Sequence, residues 1–589
     1  MNLRLGRFVP TALPQSEPHA LAQAVLSPGP GRRVARTVPE TVSVAVLALN
    51  LLGGVLAAVA QNPWPAVGCF IVGGAADWAA SGGTGRVAQL LQMLGWGEAL
   101  RSLLRWLLLL AALRDSGWLV LVPVAVQAAA FTAVVVAQWL FQRQPPLEYL
   151  PGGTTQPTAT RAYARVYGRA ARWPGALLAV ELAAAVLAVT APAWSVLAAL
   201  AALGYAAWLA LAGLRLGASA AAVQDDLEQR LDRATPDCAV YVSGGVAQAK
   251  YLFNPWVVAF DALPAPPVVI VREANQLAVL APSSGQVVYA PASRHVETLC
   301  RPSVRVAFYL ANGQKNGDLW RNPALKHVFL GHGDSDKATS ASPIAKVYDE
   351  IWVAGPSAVD RYRRAGIALP DSAFVVVGRP QVAELPVGPT GHETPVVLYA
   401  PTFEGYAEAT NYSSLAVFGA DLVRALLEHR PELTVWFRPH PSTGVQRADI
   451  RAAREQVNVL LRAAGGPHRV LDDEPAESLQ RSMAGADLLI TDVSSVSSDF
   501  LQTGRPIIVT NPGRLPTEEF IRRFPAQEAA YLIGEAAELP DALDAALGAD
   551  PLAAARLELK RRVLGDLPEG PIAAFVAASR RLAAGRVAG

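Results

Sequence analysis

The chain has 589 residues, of which 52% are hydrophobic and only 17% are charged, with a formal net charge of +2. The length favours several domains, and the apolar excess favours membrane insertion over one large soluble core. The near-neutral charge gives no sign of a nucleic-acid partner, and three widely spaced cysteines indicate neither a zinc site nor a disulfide framework.

The first part of the chain predicts a leader followed by membrane-spanning helices. Residues 1–40 carry arginines and prolines but no apolar run, which indicates a disordered cytoplasmic leader rather than a signal peptide. Residues 41–216 are almost continuously Leu, Ala and Val, and a helix needs about 20 such residues to cross the hydrocarbon. The candidate spans are 41–60, 64–80, 102–113 with the residues before it, 117–140, 174–192 and 195–215.

Arginine placement predicts the orientation of these spans. The leader, the loop 142–173 and a connection around Arg101 are basic, and short cytoplasmic loops carry the excess of basic residues. We therefore predict about six spans, with four as the alternative, in a multi-pass plasma-membrane protein whose catalytic part is cytoplasmic. Apart from Glu181, near the start of its segment, no Asp, Glu or Lys sits mid-span in a relay pattern, which disfavours transport.

Beyond the membrane region the pattern changes to that of a soluble α/β protein. Residues 217–237 predict an amphipathic connector, after which short apolar strands alternate with helices. That alternation indicates parallel sheets covered on both faces. We predict two Rossmann-like domains, 238–385 and 386–550, followed by C-terminal helices over 551–589. In such sheets ligands bind beyond the carboxyl ends of the strands.

Four polar clusters begin where predicted strands end. The first, Gly331–Lys337, exposes His332 between two glycines, and an imidazole suits proton transfer near neutral pH. A turn histidine that bonds only its own loop is an equally good interpretation of this motif alone. The second, Arg438-Pro-His440-Pro, fixes a guanidinium and an imidazole that together suit a diphosphate, although it could simply cap a sheet edge.

The other two clusters supply hydroxyl groups. Thr491–Ser498 places consecutive hydroxyls at a strand-to-helix turn, where free backbone amides attract phosphate, although N-capping alone would also explain Ser494 or Ser495. The loop 399–404, which contains Thr402, lies at the end of another predicted strand and is expected to line the same cleft. Placement of all four clusters at strand ends is stronger evidence than any one motif.

The series HGDSDK, VYDEIWVAGPSAVDRY, VVVGRPQ, VLYAPTFEG, FRPHP and ITDVSSVSSDFL resembles the CDP-glycerol glycerophosphotransferase family, the teichoic-acid polymerases and primases of Gram-positive walls. The resemblance, to a membrane-integral member of actinobacterial type, implies a GT-B fold after the transmembrane region. It also implies a CDP-linked donor in the C-terminal domain, an acceptor in the N-terminal domain, and transfer of glycerol phosphate to a hydroxyl.

By position, the resemblance implies that His332 is the base for the acceptor hydroxyl. Arg438 and His440 are implied to hold the donor diphosphate, with His440 counted as catalytic. Asp492 is implied to support its loop or contact the donor. The candidate substrate-binding residues are Arg438, Thr402, Thr491, Asp492, Ser494, Ser495 and Lys337.

The chain departs from the family pattern at two places. The usual Trp-His-Gly-Thr-Pro-Leu-Lys is here Leu330–Lys337 with two added carboxylates, Asp334 and Asp336, and the usual tyrosine is Val493. The carboxylates could select another acceptor or recruit Mg²⁺. We expect a solvated turn for at least one of them, because Asp is common in Ser-rich turns.

The implied function is a membrane-bound transferase that moves glycerol phosphate, or a similar polyol phosphate, from CDP-glycerol to a lipid-linked wall-polymer acceptor. The alternative is a GT-B glycosyltransferase that uses a nucleotide sugar for an envelope polysaccharide, since fold alone does not fix function. A third possibility is a non-catalytic scaffold, which retention of His332, Arg438 and His440 disfavours. Membrane lipid is an expected partner, and nucleic acid is not.

Overall fold

The structure, a computed structural model, describes residues 68, 106–107, 109–110, 118–142, 147–150, 186, 190, 192–243, 251–273, 276–277, 279–331, 333–337, 340–405, 411–471 and 479–585. The predicted leader, the predicted span 41–60, most of the spans 64–80, 102–113 and 174–192, and His332 lie outside these residues.

Two long helices form the described part of the predicted membrane region. α1 (Trp118–Gln142) and α2 (Pro192–Ala234) pack against each other through small residues such as Ala130 and Ala202. Small side chains let helices approach closely, which is typical of helix association in membranes. Large apolar side chains face outward instead, and Trp118 is 72% exposed.

Only one segment of the described helices is long and apolar enough to cross a membrane. It is Val196–Arg215 in α2, and 22% of its apolar window is buried inside the protein. α1 contains a shorter apolar stretch, Leu121–Val134. The wider set of spans therefore stays a prediction.

α2 continues through most of the predicted connector 217–237 and ends at Ala234. No proline interrupts the helix before Pro236, and Thr235 adopts a left-handed φ of 42° where the helix stops. Leu227 and Leu231, near the end of α2, are fully buried in a core beneath the following sheet. One continuous helix thus joins the apolar segment to the soluble part.

The N-terminal sheet has eight strands in the order β1-β4-β3-β2-β5-β6-β7-β8, all parallel except β1, which pairs antiparallel with β4. The strands are β1 (Glu148–Leu150), β2 (Cys238–Val242), β3 (Val268–Val271), β4 (Gln286–Tyr289), β5 (Val306–Tyr309), β6 (Lys326–Phe329), β7 (Glu350–Val353) and β8 (Phe374–Val376). Its helices are α3 (Val257–Asp261), α4 (Ser293–Leu299), α5 (Gly317–Trp320) and α6 (Pro356–Arg364). β1 comes from the predicted loop 142–173, so this sheet extends beyond the predicted unit 238–385.

The C-terminal sheet has six strands, all parallel, in the order β11-β10-β9-β12-β13-β14. The strands are β9 (Val396–Ala400), β10 (Thr434–Phe437), β11 (Arg469–Val470), β12 (Leu488–Thr491), β13 (Ile507–Thr510) and β14 (Tyr531–Ile533). The helices are α7 (Ala420–His429), α8 (Ala448–Ala464), α9 (Leu479–Ala484), α10 (Ser495–Phe500), α11 (Thr517–Arg523), α12 (Leu539–Leu547) and α13 (Ala553–Leu564). Separate apolar cores cover its two faces, as continuous apolar strands require.

The last helix, α14 (Pro571–Ala584), returns from the C-terminal part to the N-terminal sheet. Phe575 is fully buried there, with its ring centroid 5.6 Å from that of Phe308 and 5.3 Å from that of Trp352. The chain therefore passes from the first sheet to the second and back. Two Rossmann-like sheets confirm the α/β part of the predicted fold class.

Candidate functional site

The C-terminal site lies at the carboxyl ends of β10, β9 and β12, which are neighbours in the sheet. β12 ends at Thr491, whose hydroxyl donates to the carbonyl of Ala400 at 2.7 Å and which is fully buried. Ser494 caps α10, since its side chain accepts the backbone N–H of Val496 at 3.3 Å. Thr491 therefore ties two strand ends together, while Ser495 is half-buried at the start of α10.

Asp492 is the central support of these loops. It is fully buried and accepts the backbone N–H of Thr402 at 2.7 Å and that of Ser414 at 3.1 Å, as well as the hydroxyl of Thr510. Burial raises the pKa of this carboxyl, although the hydrogen bonds oppose that effect. Of the two implied roles, the structure places Asp492 in loop support.

Glu404 plays the same part for the loop after β10, although no feature of its sequence motif distinguishes it. Its buried carboxylate accepts the backbone N–H groups of Gly444 at 3.0 Å, Gln446 at 2.8 Å and Arg447 at 3.2 Å. Three amide donors stabilise one carboxylate strongly, because charge-assisted hydrogen bonds are stronger than neutral ones. The loop 399–404 thus anchors the loop that carries Arg438 and His440.

The Arg-Pro-His-Pro motif is fixed by its backbone. The amide of Arg438 donates to the carbonyl of Tyr399 at 2.9 Å, and that of His440 donates to Pro401 at 3.2 Å. The Nδ1 atom of His440 accepts the backbone N–H of Ser442 at 3.1 Å. Because Nδ1 accepts a hydrogen bond there, the proton of the neutral imidazole lies on Nε2.

Aromatic rings cover the imidazole of His440. Its centroid lies 4.8 Å from the Phe403 ring, and 5.8 Å from the ring of Tyr251, which the sequence did not indicate. Burial raises the pKa of the Tyr251 hydroxyl, and the nearby positive charge of Arg438 partly offsets this.

The loop after β6 brings the N-terminal sheet to this site. Gly331 has a φ of +66°, a conformation that favours glycine, and a side chain on Gly333 would lie 3.0 Å from the hydroxyl oxygen of Ser495. The two glycines of the motif thus permit a turn and a close approach. His332, between them in sequence, lies outside the described residues.

The expectation of a solvated turn at Asp334 and Asp336 is wrong. Asp334 and Asp336 are 7% and 8% exposed. Asp334 pairs with Arg361, and Asp336 pairs with Arg364 at 3.3 Å, both from α6. Both arginines lie on α6, which follows β7. Local turn propensity therefore could not predict these pairs.

Asp336 also reaches the C-terminal part of the chain. Its second oxygen accepts the backbone N–H of Ala526 at 2.6 Å, and burial raises its pKa. Both oxygens of Asp336 and one oxygen of Asp334 already have arginine or amide partners, which disfavours a Mg²⁺ site at this pair. Within the described residues, no group of three His, Cys, Asp or Glu side chains is placed to hold a metal ion.

Lys337 ends the same loop inside the cleft. Its ammonium donates to the hydroxyl of Thr402 at 2.7 Å, and it lies 5.9 Å from the centre of the Phe403 ring and 5.6 Å from that of Tyr412. Burial lowers the pKa of Lys337 to about 8, and the charge of Asp492 opposes the shift. A lysine that titrates near neutrality in a cleft is a functional-site candidate.

A buried ion pair joins the linker to α10. Both the Nε and Nη2 atoms of Arg379 donate to Asp499, at 2.8 and 2.9 Å, and both side chains are buried. Both residues lie inside motifs that carry the family resemblance, VVVGRPQ and ITDVSSVSSDFL, yet neither motif reveals that they meet. The pair fixes α10 against the segment between the two sheets.

Comparisons with known proteins identify one family and several solved structures that are similar to this chain. Residues 382–515 match the family described as CDP-Glycerol:Poly(glycerophosphate) glycerophosphotransferase. No curated protein matches the chain. Among solved structures, the wall teichoic acid polymerase TagF is similar at 13% identity, covering 61% of this chain and 92% of that chain, with a TM-score of 0.40. An alpha,alpha-trehalose 6-phosphate synthase from Burkholderia multivorans has 16% identity, 50% and 73% coverage, and a TM-score of 0.31.

The family match covers Thr402, Arg438, His440 and the Thr491–Ser495 turn, and it does not reach Gly331–Lys337. The resemblance seen in the motifs is thereby confirmed over residues 382–515. The chain is a CDP-glycerol glycerophosphotransferase-like enzyme.

Proposed function

We propose that this enzyme transfers glycerol phosphate, or a similar polyol phosphate, from CDP-glycerol to a hydroxyl of a lipid-linked acceptor in the synthesis of a teichoic-acid-type wall polymer. The observation that carries the proposal is the match of residues 382–515 to the family, because that range contains every candidate residue of the C-terminal site. The donor would bind there, at the carboxyl edge of the C-terminal sheet, as ligands do in open parallel sheets.

The proposed reaction is an in-line displacement at phosphorus. The acceptor oxygen attacks the phosphorus that bears glycerol, a new P–O bond forms, and the P–O bond to CMP breaks. The proton of the acceptor hydroxyl passes to His332, and CMP leaves. Catalysis of this kind depends mainly on positioning and on neutralising phosphate charge.

The donor side offers groups suited to hold a diphosphate. Arg438 and the Nε2–H of His440 would bind its oxygens, and the ammonium of Lys337 would add a positive charge beside Thr402. The hydroxyl of Ser495, half-buried and facing the loop of Gly333, would complete the cradle. Thr491 and Asp492 are buried and support the loops instead.

The N-terminal helices would hold the enzyme at the cytoplasmic face of the plasma membrane. The support is the apolar Val196–Arg215 segment, the outward-facing apolar side chains of α1 and α2, and the arginine pattern of the sequence. About six spans, or four, are the expected total.

Donor specificity tests the proposed function. The full chain in lipid nanodiscs is incubated with CDP-glycerol, or with UDP- and CMP-linked sugars, with and without lipid extract, and nucleotide release is measured. We expect CMP release from CDP-glycerol alone. Release from a nucleotide sugar instead would support the glycosyltransferase alternative.

Histidine variants test the assigned roles. His332→Ala and His440→Ala are each expected to lower kcat about 100-fold or more, as loss of a general base or of a charge-stabilising donor does. His392→Ala is the matched control, since His392 is exposed and its imidazole contacts the backbone carbonyl of Gly485 at 3.2 Å. Full activity of both test variants would contradict the mechanism. If the wild-type chain and the His392→Ala control are inactive as well as both test variants, that result would support the scaffold alternative.

A further inference from the structure

Tyr251 connects the N-terminal sheet to His440 on the C-terminal sheet. The next two residues along the chain, Leu252 and Phe253, are buried in the core of the N-terminal sheet and hold Tyr251 to that side. Its own ring is half-buried and faces across the cleft. The residue thus belongs to the acceptor side but contacts the donor side.

The imidazole of His440 lies between two aromatic rings. The Phe403 ring makes an interplanar angle of 28° with it, and the Tyr251 ring makes an angle of 26° at a centroid distance of 5.8 Å. Both are stacked arrangements, which aromatic side chains favour over random contact. Phe403 and His440 lie on loops that follow strands of the C-terminal sheet, whereas Tyr251 lies on the side of the N-terminal sheet.

Stacking and hydrogen bonding together fix the direction of Nε2. The amide of Ser442 holds the ring by Nδ1. Rotation about the Cβ–Cγ bond would break this hydrogen bond and would tilt the imidazole away from both stacked rings, so the stacked rings also oppose it. Positioning of this sort matters because a displacement of about 1 Å at a reacting group can cost 100-fold in rate.

We propose that Tyr251 is a positioning residue for the transfer reaction. Its ring completes the stack on His440 and directs the Nε2–H of that histidine toward the donor diphosphate. It does so only when the two sheets face each other. This inference rests on the proposed function. It makes the donor-side histidine dependent on the acceptor-side domain. An enzyme with its sheets apart would then bind the donor but turn it over slowly, which limits hydrolysis of CDP-glycerol before an acceptor arrives.

Arg438 also lies near enough to Tyr251 to influence its hydroxyl electrostatically. The same positive charge of Arg438 would help to hold the diphosphate. The two contributions of Tyr251, ring and hydroxyl, are separable by substitution. Tyr251→Phe removes the hydroxyl alone, and Tyr251→Leu removes the ring but keeps apolar bulk.

The test is a double-mutant cycle with His440, in the full chain in nanodiscs with CDP-glycerol and acceptor extract. We expect Tyr251→Ala and Tyr251→Leu to lower kcat about 10-fold or more, with KM for CDP-glycerol changed less than about 3-fold. Tyr251→Phe is expected to stay within about 3-fold of wild type, since the stack remains. In a His440→Ala background, Tyr251→Ala is expected to cause less than about a 2-fold further loss, because residues that act through each other are not additive.

Controls separate this inference from the proposed function and from misfolding. Tyr149→Ala removes another half-buried tyrosine, at the β1 edge of the same sheet, and is expected to keep wild-type turnover. Thermal unfolding of each variant identifies any that fold poorly, in which case Tyr251→Leu replaces Tyr251→Ala. Wild type that releases no CMP from CDP-glycerol refutes the proposed function. Active wild type with equal losses from Tyr251→Ala in both backgrounds, or no loss at all, refutes the role of Tyr251.

Discussion

The turns after β12 and after β6 both carry buried carboxylates, but they hold them in different ways. Asp492, in the C-terminal turn, is held by backbone amides and a threonine hydroxyl. Asp334 and Asp336, in the N-terminal turn, are held by arginines from α6. The first turn departs from the family pattern at Val493, whereas the second gains two carboxylates.

The difference indicates what the departure does. Acidic side chains added at a cleft would repel a phosphate donor, but arginines balance both charges within the same domain. The loop therefore gains ion pairs, and both of its carboxylates are buried. What it presents to the other sheet is Gly333 beside Ser495 and Lys337 beside Thr402.

The largest effect is expected where the carboxylate is held by the backbone. Asp492→Ala would leave two buried amides and a hydroxyl without their acceptor, and each unsatisfied group costs about 1–3 kcal/mol. We expect a loss of about 3–5 kcal/mol in the free energy of unfolding and undetectable transfer, measured by urea denaturation and CMP release.

Asp492→Asn is the matched variant, because the amide keeps the shape and one acceptor oxygen. We expect it to lose less stability than Asp492→Ala. Equal and small losses for both would show that the carboxylate does not hold these loops.

The arginine-held turn is tested through α6. Arg361→Ala would leave Asp334 buried without its cation, and breaking a buried pair costs about 3 kcal/mol or more. Arg363, two residues further along the same helix, pairs with exposed Asp360 and Asp371. Arg363→Ala is therefore the control, and we expect little change in its unfolding midpoint. If the two variants unfold alike, the turn does not depend on these ion pairs.

Much of the architecture was predictable because it is encoded locally. The apolar runs at β9 and β12 end where the structure ends those strands, and each is followed by its polar motif. β1, β4, β11 and β14 were not predicted from the sequence. β1 has three residues and gains its place only by pairing with β4, so no local pattern identifies it.

The site was predictable to the extent that its motifs are local. The turn at Ser494 is an N-cap, as hydroxyls at a helix start predict. Tyr251 and Glu404 act through partners that are distant in sequence, and the pairing of Asp336 with Arg364 depends on the fold bringing α6 to the loop. Contacts of that kind are set by tertiary packing, so periodicity and spacing carry no signal for them.

The N-terminal turn also carries a charge that titrates. Burial lowers the pKa of Lys337 to about 8, so the ammonium is present below that pH and is lost as the pH rises through it. If the ammonium helps bind the donor, KM for CDP-glycerol should rise about 10-fold between pH 7 and pH 9. Lys337→Arg stays charged over this range, and its KM is expected to stay flat. A wild-type KM independent of pH would exclude a role for this charge in donor binding.

The smallest effect is expected where arginine pairs are exposed, at the junction of α2 with the N-terminal sheet. Arg301 bonds Glu228 at 3.0 Å and Asp232 at 2.7 Å on α2, but these carboxylates are 30% and 52% exposed. Water already solvates such charges, so Arg301→Ala should cost only about 0.5 kcal/mol and less in high salt. The main attachment of α2 is then apolar, through buried Leu227 and Leu231. Leu231→Ala should destabilise the protein more than Arg301→Ala in denaturant titrations, and the reverse order would mean that ion pairs rather than burial join the apolar helix to the enzyme.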